Sequence, residues 1–349
     1  MSSTMTFAQA INMATHEAMK DSQDVFCYGL GVDDPKRIFG TTDGLKEAFG
    51  PRVFDMPTAE NGMLGVGVGA AITGMRPLMV HQRLDFFLLA MDQLVNSAAK
   101  WHYMFGGQRS VPLTIRLVLG RGWGQGPTHS QSLQSWFAHI PGLKVVMPAT
   151  PQDAANLLYA SIFDNNPVVF LEHRWLHNQK GEVELDKSHK LEGANVIASG
   201  DDITIVSSSY LTVEAIHAVT ALREDGIGVD LIDLRCIKPL DWQTIELSIR
   251  KTGRLLVIDN GAATCSVAHD IVAKATMSLF SKLKCAPRAL TAPDVSEPTS
   301  YGLTKGFHFG AKEIAEHVWY MLKGEQKIYA DLDKSGHHDV PGDWFNGPF

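Results

Sequence analysis

Short apolar runs alternate with longer amphipathic ones along the first half of the chain. The runs 25–30, 53–56, 77–80, 113–119, 143–147 and 168–172 have strand length and few polar positions. Helix-period patterns lie between most of them, among them 87–101 and 151–163. Thr150 stands where it can cap the second of these. Pro151 takes the first helical position, where a missing N–H costs nothing. Nearer the start, Thr6-Phe7-Ala8-Gln9 reads as a capping box, and Phe7, Ala10, Ile11, Ala14 and Ala18 follow at helical spacing. Strands joined by helices in this way predict a parallel sheet covered on both faces.

The pattern breaks into charged, polar sequence between 177 and 191, expected to be a linker or surface excursion. A second alternation follows: strand 203–207, helix 211–224, strand 229–233, helix 241–252 and strand 254–259. The fold class expected is α/β with two doubly wound domains, 1–190 and 191–349. The tail 327–349 lacks periodicity and is expected to wrap a surface or a partner. The apolar stretch 63–80 raises the question of a membrane span. Arg76-Pro77 and the glycines before it favour a buried helix followed by a strand.

Composition narrows the function classes. The 349 residues are 45% hydrophobic and 20% charged, as in a globular protein in water. A net charge of -7 argues against a nucleic-acid surface. Cys27, Cys236, Cys265 and Cys285 show no C-x-x-C spacing, so neither zinc nor a disulfide framework is indicated. With no secretory signal in 1–20, a cytoplasmic location is expected.

Glu60 is the position most suggestive of chemistry. A short strand stops at Pro57, and the chain enters a helix with this carboxylate in its first turn. The helix N-terminus favours the charged acid, while the apolar, glycine-rich sequence after it favours the protonated one. Opposed pulls of that kind suit a proton donor. A helix-start glutamate that serves only the dipole is the plain alternative. Gly65-x-Gly67-x-Gly69 fits helix packing better than dinucleotide binding, since these glycines fall inside the helical pattern.

Several motifs occur in one order: Phe54-Asp55-Met56-Pro57-Thr58-Ala59-Glu60-Asn61-Gly62, Asp92-Gln93-Leu94-Val95-Asn96, Thr128-His129-Ser130-Gln131-Ser132, Pro141-Gly142-Leu143-Lys144-Val145, Asp164-Asn165-Asn166-Pro167 and Asp233-Leu234-Arg235-Cys236-Ile237-Lys238-Pro239. Together they resemble the beta subunit of the decarboxylating component of 2-oxo acid dehydrogenases, a transketolase-like, thiamine-diphosphate-dependent family. The resemblance runs from Thr6 to about Leu322. It implies a pyrimidine-binding domain followed by a transketolase C-terminal-like domain.

It also implies site residues. Glu60 would share a proton with the pyrimidine ring of thiamine diphosphate, with Thr58, Gln82 and Phe86 around the ring. Phe86 and Phe87 are adjacent, so only one can face the site. His129 would recognise substrate or transfer a proton, while His139 would serve structure. The backbone carbonyls of Leu113, Ser161, Asp164 and Asn166 match positions that hold potassium in some relatives.

The family's Gly-Asp-Gly motif for the diphosphate and its magnesium does not occur here. An alpha subunit would therefore supply both, in an alpha2-beta2 heterotetramer serving a lipoyl acyltransferase. Arg83, Arg121 and Trp123 are unusual near the expected substrate mouth. They keep open a transketolase-like transfer of a ketol or acyl unit to a sugar or other carbonyl. A non-catalytic assembly subunit is the reading from another class.

Overall fold

The computed structural model describes residues 3–122 and 124–348. Among these, seven strands form the larger sheet, in the order Cys236–Lys238, Lys144–Val146, Val168–His173, Thr114–Leu119, Arg76–His81, Val25–Gly29 and Val53–Asp55. Neighbours run parallel except the first pair. The central strands are buried along their whole length because helices cover both faces, which is why they read as continuous apolar runs. Five strands build the second sheet, in the order Arg288–Ala292, Leu255–Ala262, Ile203–Ser207, Val229–Asp233 and Asn195–Ala198, with only the last antiparallel.

Both caps form as expected. Thr6 Oγ1 accepts from the Gln9 N–H at 3.1 Å, and the Gln9 side chain accepts from the Thr6 N–H at 2.8 Å. Thr150 caps the helix Pro151–Phe163 through the Asp153 N–H at 3.1 Å. These two helix starts fix Phe7–Asp21 against Pro151–Phe163 on one face of the larger sheet. The stretch 63–80 divides between the helix Glu60–Ile72 and the strand Arg76–His81, and no helix among the described residues is long and apolar enough to cross a membrane.

Two local expectations need correction. The pattern 87–101 is not one helix: α-helix Leu84–Phe87, a 3-10 turn Leu88–Ala90, a π-helix Gln93–Ala98 and α-helix Ala99–Met104 follow one another. Apolar periodicity shows that turns occur but not how tightly they wind. The polar break contains a strand, Lys180–Val183, paired antiparallel with Ser3–Thr6. After His129 no helix begins until Gln134, and the Gln131 backbone and side chain are both bonded to Asp85.

The tail, expected to wrap a surface or a partner, packs on its own chain. Buried Glu214 accepts from the N–H groups of Ala311 (2.8 Å) and Gly342 (2.7 Å) and from the Trp344 indole (2.9 Å). The strand Cys236–Lys238 also crosses from the second half of the chain to the edge of the larger sheet.

Candidate active site

Three loops leave the carboxyl ends of parallel strands of the larger sheet, the usual place for a ligand on such a sheet. The loop after Val53–Asp55 leads to Glu60, the loop after Arg76–His81 carries Gln82 to Phe86, and the loop after Thr114–Leu119 carries Arg121 to Gln131.

Glu60 opens the helix Glu60–Ile72, whose N-cap residue, Ala59, makes no side-chain cap bond. Its side chain is buried, with 7% exposure, yet among the described residues it has no hydrogen bond or ion pair. Gly67 seats the helix: a Cβ there would lie 2.1 Å from the Tyr28 hydroxyl, which donates to the Met63 carbonyl. Gly69 faces open space, so packing explains only part of the glycine pattern. Thr58 is exposed just before the helix.

The second and third loops are tied together. Arg83 Nη1 donates to the His129 carbonyl at 3.1 Å, and Asp85 Oδ1 accepts from the Gln131 side chain at 2.8 Å. Burial pulls the Arg83 guanidinium below its ordinary value, with Asp85 opposing. These bonds bring the Phe86 and His129 rings together. Phe86 is 40% exposed while Phe87 is fully buried, so Phe86 is the ring that faces the site. His129 Nδ1 lies 3.0 Å from Thr128 Oγ1. Gln82 is exposed and reaches Asp34 at 3.4 Å. Asp85 and Gln131 were not marked as partners in the sequence, where nothing couples positions so far apart.

Arg121 is not a surface residue. It is 3% exposed and paired with Glu297 and Asp339. Trp123 lies outside the described residues. Arg121 lines a cavity of about 360 Å³ between the two sheets, with Ser130, His173, Trp175, Tyr210 and His308 among its walls. His139 ends the helix Gln134–His139.

Leu113, Ser161, Asp164 and Asn166 lie at the opposite, amino end of the larger sheet. The Leu113 carbonyl accepts from Val168 N–H at 3.0 Å, and that of Ser161 from Asp164 N–H at 3.2 Å. Arg76 donates to the Asp164 carbonyl at 3.0 Å, and Lys144 pairs with the Asp164 carboxylate.

Two family models match this chain: "Transketolase, pyrimidine binding domain" over residues 3–179 and "Transketolase, C-terminal domain" over 192–314. A solved structure, "Split gene transketolase, inactive beta4 tetramer", superimposes with a TM-score of 0.74 at 19% identity, covering 91% of this chain and 98% of that one. The fold is thus the transketolase-like two-domain α/β fold.

Among curated relatives, the beta subunit of acetoin:2,6-dichlorophenolindophenol oxidoreductase from Cupriavidus necator is 36% identical, over 93% of this chain and 99% of its own length. Its Bacillus subtilis counterpart is 38% identical, over 86% and 92%. The pyruvate dehydrogenase E1 component subunit beta of Rhizobium meliloti is 41% identical, over 86% and 66%. The chain belongs to the transketolase-like, thiamine-diphosphate-dependent family, among relatives that are E1-type beta subunits.

Proposed function

We propose that this chain is the beta subunit of a 2-oxo acid dehydrogenase that decarboxylates its substrate and passes the acyl group to a lipoyl arm. The observation that carries the reading is Glu60, a residue only 7% exposed at the start of its helix and without a hydrogen bond among the described residues, at the same end of the larger sheet as the Phe86–His129 pair. Thiamine diphosphate bound there supplies the electron sink for decarboxylation. Glu60 holds and shares a proton with the pyrimidine ring. Phe86 offers its open face to that ring, Thr58 and Gln82 bound the same space, and His129 moves a proton at the substrate side.

The diphosphate and its magnesium need a metal-binding set and a helix N-terminus. With no Gly-Asp-Gly in this chain, we assign both to an alpha subunit, in an alpha2-beta2 particle of the cytoplasm that hands its product to a lipoyl acyltransferase. The carbonyls of Leu113, Ser161, Asp164 and Asn166 each keep a lone pair, and we place a potassium ion on them, remote from the chemistry. Transfer to a sugar is less favoured for Arg121, whose guanidinium is bonded to Glu297 and Asp339, while Arg83 Nη1 bonds the His129 carbonyl.

Glu60→Gln in the assembled complex tests the reading. Turnover of a 2-oxo acid to acyl-lipoamide falls about 100-fold or more if the carboxyl moves a proton. Unchanged turnover refutes the assignment.

A further inference from the structure

The guanidinium of Arg121 ties three distant parts of the chain together. Nη1 donates to Glu297 Oε1 at 3.1 Å and to the carbonyls of Gln125 (2.6 Å) and Pro298 (2.8 Å). Nη2 reaches the Thr299 carbonyl at 3.3 Å, and Nε reaches Asp339 Oδ2 at 3.3 Å. Glu297 is shared with His308 Nε2 at 2.9 Å, so Asp339 is the carboxylate among these that Arg121 has to itself. All three charged residues are at least nine-tenths buried, where removing one partner of a pair leaves the other uncompensated.

Two glycines between this guanidinium and His129 pack closely against other parts of the chain. A Cβ on Gly126 would lie 2.0 Å from Thr299 Oγ1, and one on Gly122 would lie 2.3 Å from Arg174 Nη1. Asp339 is anchored in turn: its neighbour His338 contacts the Tyr301 carbonyl at 2.7 Å, and Glu214 holds Gly342 and Trp344 just beyond. The tail lies past residue 314, where the matched C-terminal domain ends.

We propose that Asp339 is a positioning residue: through Arg121 it fixes residues 124–129 and so the place of the His129 imidazole against Phe86. This rests on the reading of His129 given above. A loop displaced at that point misaligns a group needed in the transition state while leaving substrate binding largely intact.

The test combines amide hydrogen exchange on the full chain with steady-state kinetics of the assembled complex. In Asp339→Ala, exchange across 124–131 rises about 10-fold or more, as expected when a tertiary anchor is lost. In the same variant kcat falls about 10-fold with KM within about twofold, and Asp339→Glu recovers most of the loss. Asp333→Ala, which removes an exposed tail carboxylate paired with Lys312, changes neither. Should Asp339→Ala not fold, Asp339→Asn is read in its place.

Unchanged exchange overturns the proposal. Faster exchange with unchanged kcat also overturns it when His129→Ala is impaired. A fully active His129→Ala refutes instead the site reading on which the proposal rests.

Discussion

His129 meets Phe86 edge to face, with ring centroids 5.3 Å apart and planes at 86°. The two rings come from loops that follow adjacent parallel strands, Arg76–His81 and Thr114–Leu119, so the sheet sets their separation before either side chain chooses a rotamer. An edge-to-face contact covers only part of either ring, and Phe86 is 40% exposed. Phe86 therefore keeps a free face, while Phe87 packs at 5.2 Å against His81 and at 6.2 Å against Phe137.

That difference predicts opposite phenotypes for neighbouring residues. Phe86→Ala leaves stability nearly unchanged and weakens cofactor binding in the assembled complex by about 10-fold, the upper end of a single ring-on-ring contact. Phe87→Ala costs about 3–5 kcal/mol of stability through the cavity it opens. Urea unfolding and cofactor titration separate the two. A Phe86→Ala chain that unfolds as easily as Phe87→Ala would mean that the exposed ring is structural.

Arg116 and Glu172 form an ion pair with no exposure on either side, bonded at 2.9, 3.0 and 3.3 Å from diagonal positions on adjacent strands. Arg116 Nη1 has no partner of its own. Breaking the pair strands a buried charge, whereas replacing both ends with apolar residues strands none. Arg116→Ala is expected to lose about 3–5 kcal/mol, and Arg116→Met with Glu172→Leu distinctly less. A double variant weaker than the single one in denaturant titration would show that the pair itself stabilises the fold.

Strands buried on both faces were the most legible elements. Ile203–Ser207 and Val229–Asp233 fall where the apolar runs placed them, because in a covered strand the run and the element coincide. The helix start at Glu60 was legible for a similar local reason: a strand, a proline and a helix start stand within a few residues. The tether from Arg121 to Glu297 and Asp339 was not. Its members are polar, distant in sequence and brought together only by folding, so the arginine was expected at the substrate mouth. The choice between Phe86 and Phe87 also needed the backbone, since adjacency shows only that the two rings diverge.

The turn after Pro151–Phe163 supports a test of the potassium assignment. Arg76 and Lys144 already bring positive charge to Asp164, so an added cation must compete with both. Binding to the folded chain alone raises the melting temperature with ion concentration. Melting in potassium chloride is expected to exceed that in choline chloride at equal ionic strength, and Arg76→Met should widen the gap. Equal melting temperatures in the two salts remove the ion from the proposal.

The dependence of stability on pH follows from four buried groups. Burial pushes His81 down to about 4, and burial with the nearby Arg116 and Arg174 charges pushes His177 down to about 3. Both nitrogens of each ring lack a partner. Burial, followed by the neighbouring His308, Arg174 and His177, holds His173 well below the usual 6.5. Asp233 moves the other way, up to about 8, by burial and then by the Asp153 charge. Below about 6.5 the unfolded chain binds protons that the folded histidines refuse, so stability falls as pH drops from there toward 4. Asp233 keeps a proton that its unfolded carboxyl has lost, so its contribution falls as pH rises from 3.8 to about 8. Three histidines outweigh one carboxyl on the acid side, and the carboxyl acts alone above 6.5, which places the maximum near that pH. In thermal melts, Asp233→Asn should flatten the decline between pH 6.5 and 8 and leave the acid limb in place. A wild-type melting temperature that climbs through that interval would mean that Asp233 is ionised in the folded chain.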